Sequence, residues 1–290
     1  MSRRLAALFF LLAVPAVAAP LRIATLSTVL TEVAREVGGP EVVVTGILAP
    51  GVDPHTFEPS PADLRAITQA DLVLASGLGL ENYLDRIAAN SGAGARIVEA
   101  GRVLGPTVLT VGGGDRAEPD PHWWHSIAAM ITVTRWVTDE LTGLRPGSAA
   151  GFRDRAGAYV ARLAALETWT RLELAALPSA RRQLITTHEA FGWFARDYGF
   201  GMHAISGLST EDEPDARDFA ALVEFIRRRH IPAIFPESDE NSRLAAALAR
   251  ESGARLGTPL YADGLVPADD GASYDAMYRH NVRAIVAGLR

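Results

Sequence analysis

The stretch GSAAGFRDRAGAYVARLAALETWTRLELAALPSA, residues 147–180, separates two halves of the chain and decides how they are joined. Tyr159, Leu163, Leu166, Trp169, Leu172 and Leu174 are apolar at close to helical spacing, and no proline intervenes from Gly147 to Leu177. The pattern predicts one continuous helix, roughly 45 Å long at about 1.5 Å per residue. That length runs down two small domains. Pro146 and Pro178 punctuate its ends. A flexible Gly/Ser linker is absent, so the two halves are expected to be tied by a rod.

On the amino-terminal side, LRIATL (21–26), EVVVTGIL (41–48), DLVLAS (71–76) and RIVEA (96–100) read as strands. Helical stretches lie between them at 28–37, 61–69 and 80–89, the second opened by Ser60 as N-cap and Pro61 in the first turn. The carboxyl-terminal side repeats the alternation. Strands are expected at QLITTH (183–188), GMHAIS (201–206), IPAIFPE (231–237) and ARLGTPL (254–260), with helices at 190–198, 215–230, 242–251 and 274–289. Strand and helix in alternation imply parallel sheets covered on both faces. The expected fold is therefore α/β with two lobes, each a mainly parallel sheet flanked by helices, joined by one long rigid helix. Boundaries fall at 20–145 for the first lobe, 146–178 for the linking helix and 179–290 for the second lobe.

Residues 1–19 read as a secretory signal peptide: Arg3 and Arg4, an apolar run from Leu5 to Val14, then small residues at Ala16 to Ala19. Pro15 interrupts the run well short of the roughly 20 residues a spanning helix needs. The chain has no cysteine, which excludes a disulfide framework, a thiolate metal site and a lipid-modified amino-terminal cysteine. Any metal must be held by nitrogen and oxygen. Export without a lipid anchor suits a periplasm, where diffusion is confined. The formal charge is −6, from 28 basic and 34 acidic residues, and without Arg3 and Arg4 it is 26 minus 34, or −8. No clustered basic domain marks a nucleic-acid binder.

Among seven histidines, four stand in conspicuous settings. His55 lies in the loop APGVDPHTFEPSPADL after a strand, His122 and His125 lie in DPHWWHS at the start of a helical run, and His188 ends the strand QLITTH. Strand-to-helix junctions of open α/β sheets gather at the carboxyl edge of the strands, where such folds bind ligands. His55 and His122 come from the first lobe and His188 from the second, so their meeting place is the cleft between lobes. A fourth donor from the second lobe is Asp263, after the strand ARLGTPL, or Glu237, after IPAIFP.

The succession GVDPHTFEPSP, DPHWW, a long helix, TTHEAFGWFARDYGF, GLSTEDEPDARDF, IFPESDENSRLAAALARESGARL and YADGL resembles the metal-binding receptors of bacterial zinc and manganese ABC importers. The likeness spans essentially the whole chain after the leader, in order. It implies a two-lobed receptor with a rigid linking helix, which hands a divalent ion to an inner-membrane ABC permease; a monomer is expected, and not an enzyme, since four protein ligands leave no open position for a catalytic water. Position by position it implies His55, His122, His188 and Asp263 as ligands. Two departures stand out. The family usually has an apolar residue where this chain has His125. Many zinc members carry a histidine-rich loop before the second motif, where this chain has GGGDRAEPD. Loading by a metallochaperone, or capture at the primary site alone, would have to serve instead.

Three imidazoles and one carboxylate suit Zn²⁺ in tetrahedral geometry. Mn²⁺ prefers more oxygen, and with Fe²⁺ it forms the alternative within the family. Around this set, His125 is expected to support a ligand or pack in the wall rather than bind metal, and Trp123 and Trp124 to exclude water and fix ligand rotamers. Glu237, Glu58 and Glu189 are candidates to hold ligand rings. His203, His230 and His280 receive no role. A secreted zinc hydrolase is the contrasting reading, using His122, His125 and a third ligand with Glu189 or Glu237 as base. Neither HExxH nor GxSxG is present to favour it. A receptor for a siderophore or haem shares the architecture but leaves four clustered donors unexplained.

Overall fold

The computed structural model of the protein describes residues 19–90, 96–111, 117–212, 215–237, 243–266 and 273–290. The expected leader lies outside the described residues up to position 18. The first lobe runs β1 (Leu21–Thr25), α1 (Thr28–Gly38), β2 (Val42–Gly46), α2 (Pro61–Thr68), β3 (Leu72–Ala75), α3 (Leu84–Asn90), β4 (Arg96–Glu99) and α4 (Gly101–Leu104). A short antiparallel pair, β5 (Thr110–Val111) with β6 (Glu118–Pro119), precedes the long α5 (Ile127–Leu144). Next comes α6 (Ala149–Leu174), then β7 (Gln183–Thr186), α7 (Gly192–Tyr198), β8 (Gly201–Ala204) and α8 (Ala216–Arg229). The chain finishes with β9 (Ala233–Ile234), α9 (Arg243–Ser252), β10 (Arg255–Leu256) and α10 (Tyr274–Leu289).

In the first lobe the strands pair parallel in the order β2-β1-β3-β4, with Ile23 opposite both Val44 and Leu72. All four residues of β3 are buried, as expected for a central strand covered on both faces. In the second lobe β7 pairs with β8 and β9 with β10, all parallel, and a bridge from Thr186 to Phe235 joins the two pairs. The expected seven-residue strand IPAIFPE shrinks to two residues plus bridges at Phe235 and Glu237. Pro232 and Pro236 have no N–H to donate, so the ladder breaks on either side of Ala233–Ile234.

Helix α3 begins four residues later than the periodicity suggests. The chain before it turns through left-handed backbone at Gly77, Leu78 and Gly79 (φ 75°, 58° and 87°), and the buried Glu81 carboxylate folds back to accept from Ser76 and Gly77 N–H at 2.7 and 2.9 Å. Burial outweighs those bonds and raises the Glu81 pKa to about 7.

The linking helix is present as α6, 26 residues and thus about 39 Å long, because a 3-10 turn at Pro146–Ser148 takes up its expected start. Its buried side chains are Phe152, Ala156, Tyr159, Leu163, Leu166, Thr170 and Leu174, a stripe packed against α1, α5 and α10. Leu172, expected in that stripe, is 70% exposed, because it falls on the opposite face of the helix. Arg155 anchors the rod to the end of α1, donating to the Val37 and Gly38 carbonyls at 2.8 Å, where a cation meets the negative end of the helix dipole. The largest buried apolar cluster runs from Leu21 through α5, α6 and α7 to Leu289 and is shared by both lobes, and each lobe adds a smaller cluster of its own, around Val73 in the first and Ile226 in the second. Among the described residues no helix is long and apolar enough to cross a membrane.

Candidate metal centre

Three loops and one strand end deliver the site. His55 sits in the loop between β2 and α2, where the Asp53 carboxylate accepts its backbone N–H at 2.7 Å and Asn82 donates to its carbonyl at 3.0 Å. His122 leads a 3-10 turn, Trp123–His125, which Ser126 then converts into α5 by capping Ala129 N–H. His188 follows β7, and Asp263 lies beyond the parallel bridge between Leu260 and Glu237, in a turn completed by Gly264 (φ 140°).

All three Nε2 atoms converge on one carboxylate oxygen. Asp263 Oδ1 is 3.5 Å from His55, 3.6 Å from His122 and 3.2 Å from His188, and the His55 and His122 nitrogens are 3.3 Å apart. The four donor atoms all lie within 4.8 Å of one another, and all four residues are buried. A tetrahedron with bonds of about 2.0–2.1 Å has edges of about 3.3–3.4 Å, close to these separations. His188 Nε2 and Asp263 Oδ1 are fully buried and have no hydrogen-bond partner, an arrangement that is costly unless something else binds there. The donor set therefore fits a small divalent cation.

Each of two imidazoles is aimed by a buried carboxylate. Asp120 Oδ1 accepts both the backbone N–H of His122 at 2.9 Å and its ring Nδ1–H at 2.8 Å. Glu237 accepts the ring Nδ1–H of His188 at 2.6 Å through one oxygen and its backbone N–H at 3.3 Å through the other. In the neutral ring, fixing the proton on Nδ1 leaves the Nε2 lone pair pointing into the cluster. The charges sort accordingly. Burial lowers the His122 pKa more than Asp120 raises it. For His188 burial also opposes the charge, yet Asp263 and Glu237 together outweigh it and lift the pKa well above 6.5. Burial would raise Asp263, but His188 and His55 prevail and hold its carboxyl well below the usual range.

The remaining expected residues divide. His125 is buried beside the cluster but not among its converging donors. Its Nε2–H donates to the Ala262 carbonyl at 2.8 Å, its ring packs on Phe191 with centroids 4.2 Å apart, and burial drives its pKa down to about 3. The hydrolase reading required His122 and His125 to share a metal, but His122 stands ahead of the 3-10 turn on non-helical backbone (φ −85°, ψ 41°), and the two rings go to different partners. Trp124 lies edge-on to His122 at 5.4 Å and donates to the same Ala262 carbonyl at 2.8 Å. Trp123 packs edge-on against Trp124 in the core. Glu58 is a correction: it lies on the surface, paired with Arg86 at 2.7 Å, because its side chain leaves the loop on the solvent side. Glu189 makes no hydrogen bond to the four donors; burial, then the charge of Asp120, raises its pKa.

Asp120 received no role from the sequence. The available signal was a repeated tripeptide, Asp-Pro-His at 53–55 and again at 120–122. In both copies the aspartate accepts the histidine's backbone N–H, an Asx turn that presents the imidazole from a fixed loop.

A closed set of four buried donors at the seam of two lobes defines a receptor that encloses an ion. Comparison with known proteins makes this specific. A family model described as zinc-uptake complex component A, periplasmic, matches residues 23–288, and the chain belongs to that family of periplasmic metal-binding receptors of ABC importers. It is 31% identical over 276 residues to the manganese-binding lipoprotein MntA of Bacillus subtilis (strain 168), covering 93% of this chain and 90% of that protein. It is 33% identical over 278 residues to the zinc-binding protein TroA of Treponema pallidum (strain Nichols), covering 93% and 89%. The solved structure of that periplasmic zinc-binding protein superposes with a TM-score of 0.86 at 31% identity, over 94% of this chain and 99% of the other. The iron-binding protein YfeA of Yersinia pestis is 27% identical over 245 residues, covering 84% and 78%. Relatives so named span manganese, zinc and iron.

Proposed function

We propose that the protein captures Zn²⁺ between its lobes through His55, His122, His188 and Asp263 and delivers it to an inner-membrane ABC permease. The observation that carries the choice of ion is the spacing of the donor atoms, 3.2–3.6 Å across four edges, which suits a four-coordinate ion with short bonds. Manganese favours six oxygen-rich donors, whereas this set is three nitrogens and one oxygen. The names of the manganese and iron relatives keep Mn²⁺ and Fe²⁺ as the competing cargo.

Export by the leader at 1–19 into the periplasm, and action there as a monomer without a lipid anchor, belong to the same proposal. The Bacillus relative is named a lipoprotein, at odds with an unanchored receptor, but the sequence here offers no cysteine to carry the lipid. A metallochaperone partner would compensate for the histidine-free segment GGGDRAEPD.

The test is metal analysis of protein purified without chelators, followed by competition among Zn²⁺, Mn²⁺ and Fe²⁺. One zinc per chain, held against excess of the other two, is the expected result. Preferential retention of manganese or iron would reassign the cargo.

A further inference from the structure

Asp263 follows the second sheet in sequence, yet its neighbours on both sides are bonded elsewhere. The Ala262 carbonyl accepts from both Trp124 Nε1 and His125 Nε2 at 2.8 Å. Leu265 N–H donates to Thr28 Oγ1 on α1 at 2.8 Å, and the Leu265 carbonyl accepts from Gly51 at 3.1 Å. Tyr261 is held at both polar groups by the Asn281 amide on α10, at 2.9 and 2.8 Å. The start of α10 is itself fixed to the first lobe: Tyr274 N–H donates to Glu32 at 2.7 Å, and the Tyr274 and Tyr278 hydroxyls donate to the carbonyls of Trp124 and His125 at 2.6 and 3.0 Å. Gly264 is close against α1, since a Cβ there would lie 2.4 Å from Thr28 Oγ1.

His188 is held differently. Its ring and its backbone N–H are bound by Glu237, on the neighbouring strand of the second sheet. Near this ligand the second lobe meets the first through side chains: Thr210 bonds Asp53 at 2.7 Å, Trp193 the Asp120 carbonyl at 3.0 Å, Ser126 Asp197 at 2.5 Å and Arg196 the Thr107 carbonyl at 3.0 Å, while Phe191 packs on the His125 ring with centroids 4.2 Å apart. The last tie between the Asp263 loop and the second sheet is Leu260 N–H to the Pro236 carbonyl at 2.9 Å, immediately before Tyr261.

We propose that the centre divides three to one between the moving parts, so that His55, His122 and Asp263 stay together on the first lobe while His188, carried by Glu237, is the ligand that detaches when the lobes separate. Trp124 and His125 are the positioning residues that fasten the Asp263 loop across the boundary, with Leu260 and Tyr261 at the hinge. This rests on the receptor reading and adds an order to release: the ion loses one imidazole first and passes through a three-ligand half-site. It also gives His125 a task in this chain, holding Asp263 through the Ala262 carbonyl rather than binding the ion.

Hydrogen exchange read by mass spectrometry on the full chain, zinc-loaded and zinc-free, tests the division. Removing zinc from the unaltered protein should speed exchange at 186–190 and leave 261–265 unchanged. In His125→Phe, which keeps the ring but not the donor, 261–265 should become sensitive to zinc removal, and zinc release to a chelator should run about tenfold faster. His125→Gln, which retains a donor, should restore both. Should His125→Phe not fold, Thr28→Val, which removes the bond to Leu265, takes its place. Opening of 261–265 together with 186–190 in the unaltered zinc-free protein overturns the proposal, as does an unchanged 186–190 or a His125→Phe protein indistinguishable from the original. Failure of the receptor reading is a separate outcome: the unaltered protein would then hold no divalent ion to remove.

Discussion

His188 Nδ1 lies 2.6 Å from Glu237 Oε2, with both side chains buried, so one carboxylate sets the tautomer of an imidazole whose other nitrogen faces the cluster. The bond aims the lone pair and supplies negative charge behind it. Glu237→Gln keeps the shape and removes the charge, and zinc affinity should fall by about 10–100-fold, measured by chelator competition. Asp120→Asn should act on His122 in the same range. Equal affinity in either variant would mean that the rings are oriented by packing alone.

The charge pattern of the metal-free centre predicts how binding depends on pH. Asp263 and Glu237 hold the His188 pKa well above 6.5 against the cost of burial, so without metal this imidazole is protonated at neutral pH. Zinc requires it neutral, so binding should release about one proton, and affinity should rise with pH until the raised pKa is passed. Calorimetry in buffers of different ionisation enthalpy counts the proton. No release at pH 7 would refute the assignment.

Thermal stability carries the same linkage with the opposite sign. A folded-state pKa above the unfolded value contributes stability that is complete below about 6.5 and is lost as pH rises through the folded value. The Asp263 shift is downward, so its contribution persists above 3.8 and is constant across neutral pH. The metal-free protein should therefore lose Tm as pH rises above about 6.5 while the zinc-loaded protein does not. The gap between the two melting curves should widen with pH.

Much of this centre was legible because α/β topology collects strand ends at one edge, so His55, His122 and His188 could be grouped from their junctions alone. The strands and the linking helix followed from periodicity. Illegible features were those set by three-dimensional partners. Leu172 is not one of them: nine residues past Leu163 at about 100° per residue is the opposite side of the helix, so spacing alone puts it outward. His125 three residues after His122 reads as the same helix face, but His122 stands on non-helical backbone ahead of the turn, and the rings diverge. Asp120 was hidden by proximity, since an aspartate two residues before a histidine is ordinary turn chemistry until the ring is seen to return to it. The attachment of Asp263 to the first lobe has no sequence signal, because Ala262 contributes only a carbonyl.

Substitution of the converging residues should separate ligands from supports. His122→Ala and His188→Ala each remove a donor from a buried set, and zinc retention should weaken by more than the roughly 100-fold ceiling of an orienting partner. His125→Ala leaves the Ala262 carbonyl one donor, from Trp124, and should cost about tenfold. Equilibrium dialysis against zinc buffers ranks them, and a larger loss in His125→Ala than in His122→Ala would reverse the assignment.

The rod itself can be tested without touching the metal. Leu166 is buried at 1% exposure in the α6 stripe, whereas Leu172, also on α6, is 70% exposed. Leu166→Ala removes the same atoms as Leu172→Ala but leaves a cavity in the core that both lobes share, and should cost about 2–5 kcal/mol. Leu172→Ala should stay within about 0.5 kcal/mol, since it deletes surface already in water. Urea unfolding of the metal-free protein followed by far-UV circular dichroism gives both midpoints, and because one core spans the lobes, Leu166→Ala should shift a single transition rather than split it into two. Two separated transitions would show that the lobes unfold independently and that the rod does not couple them.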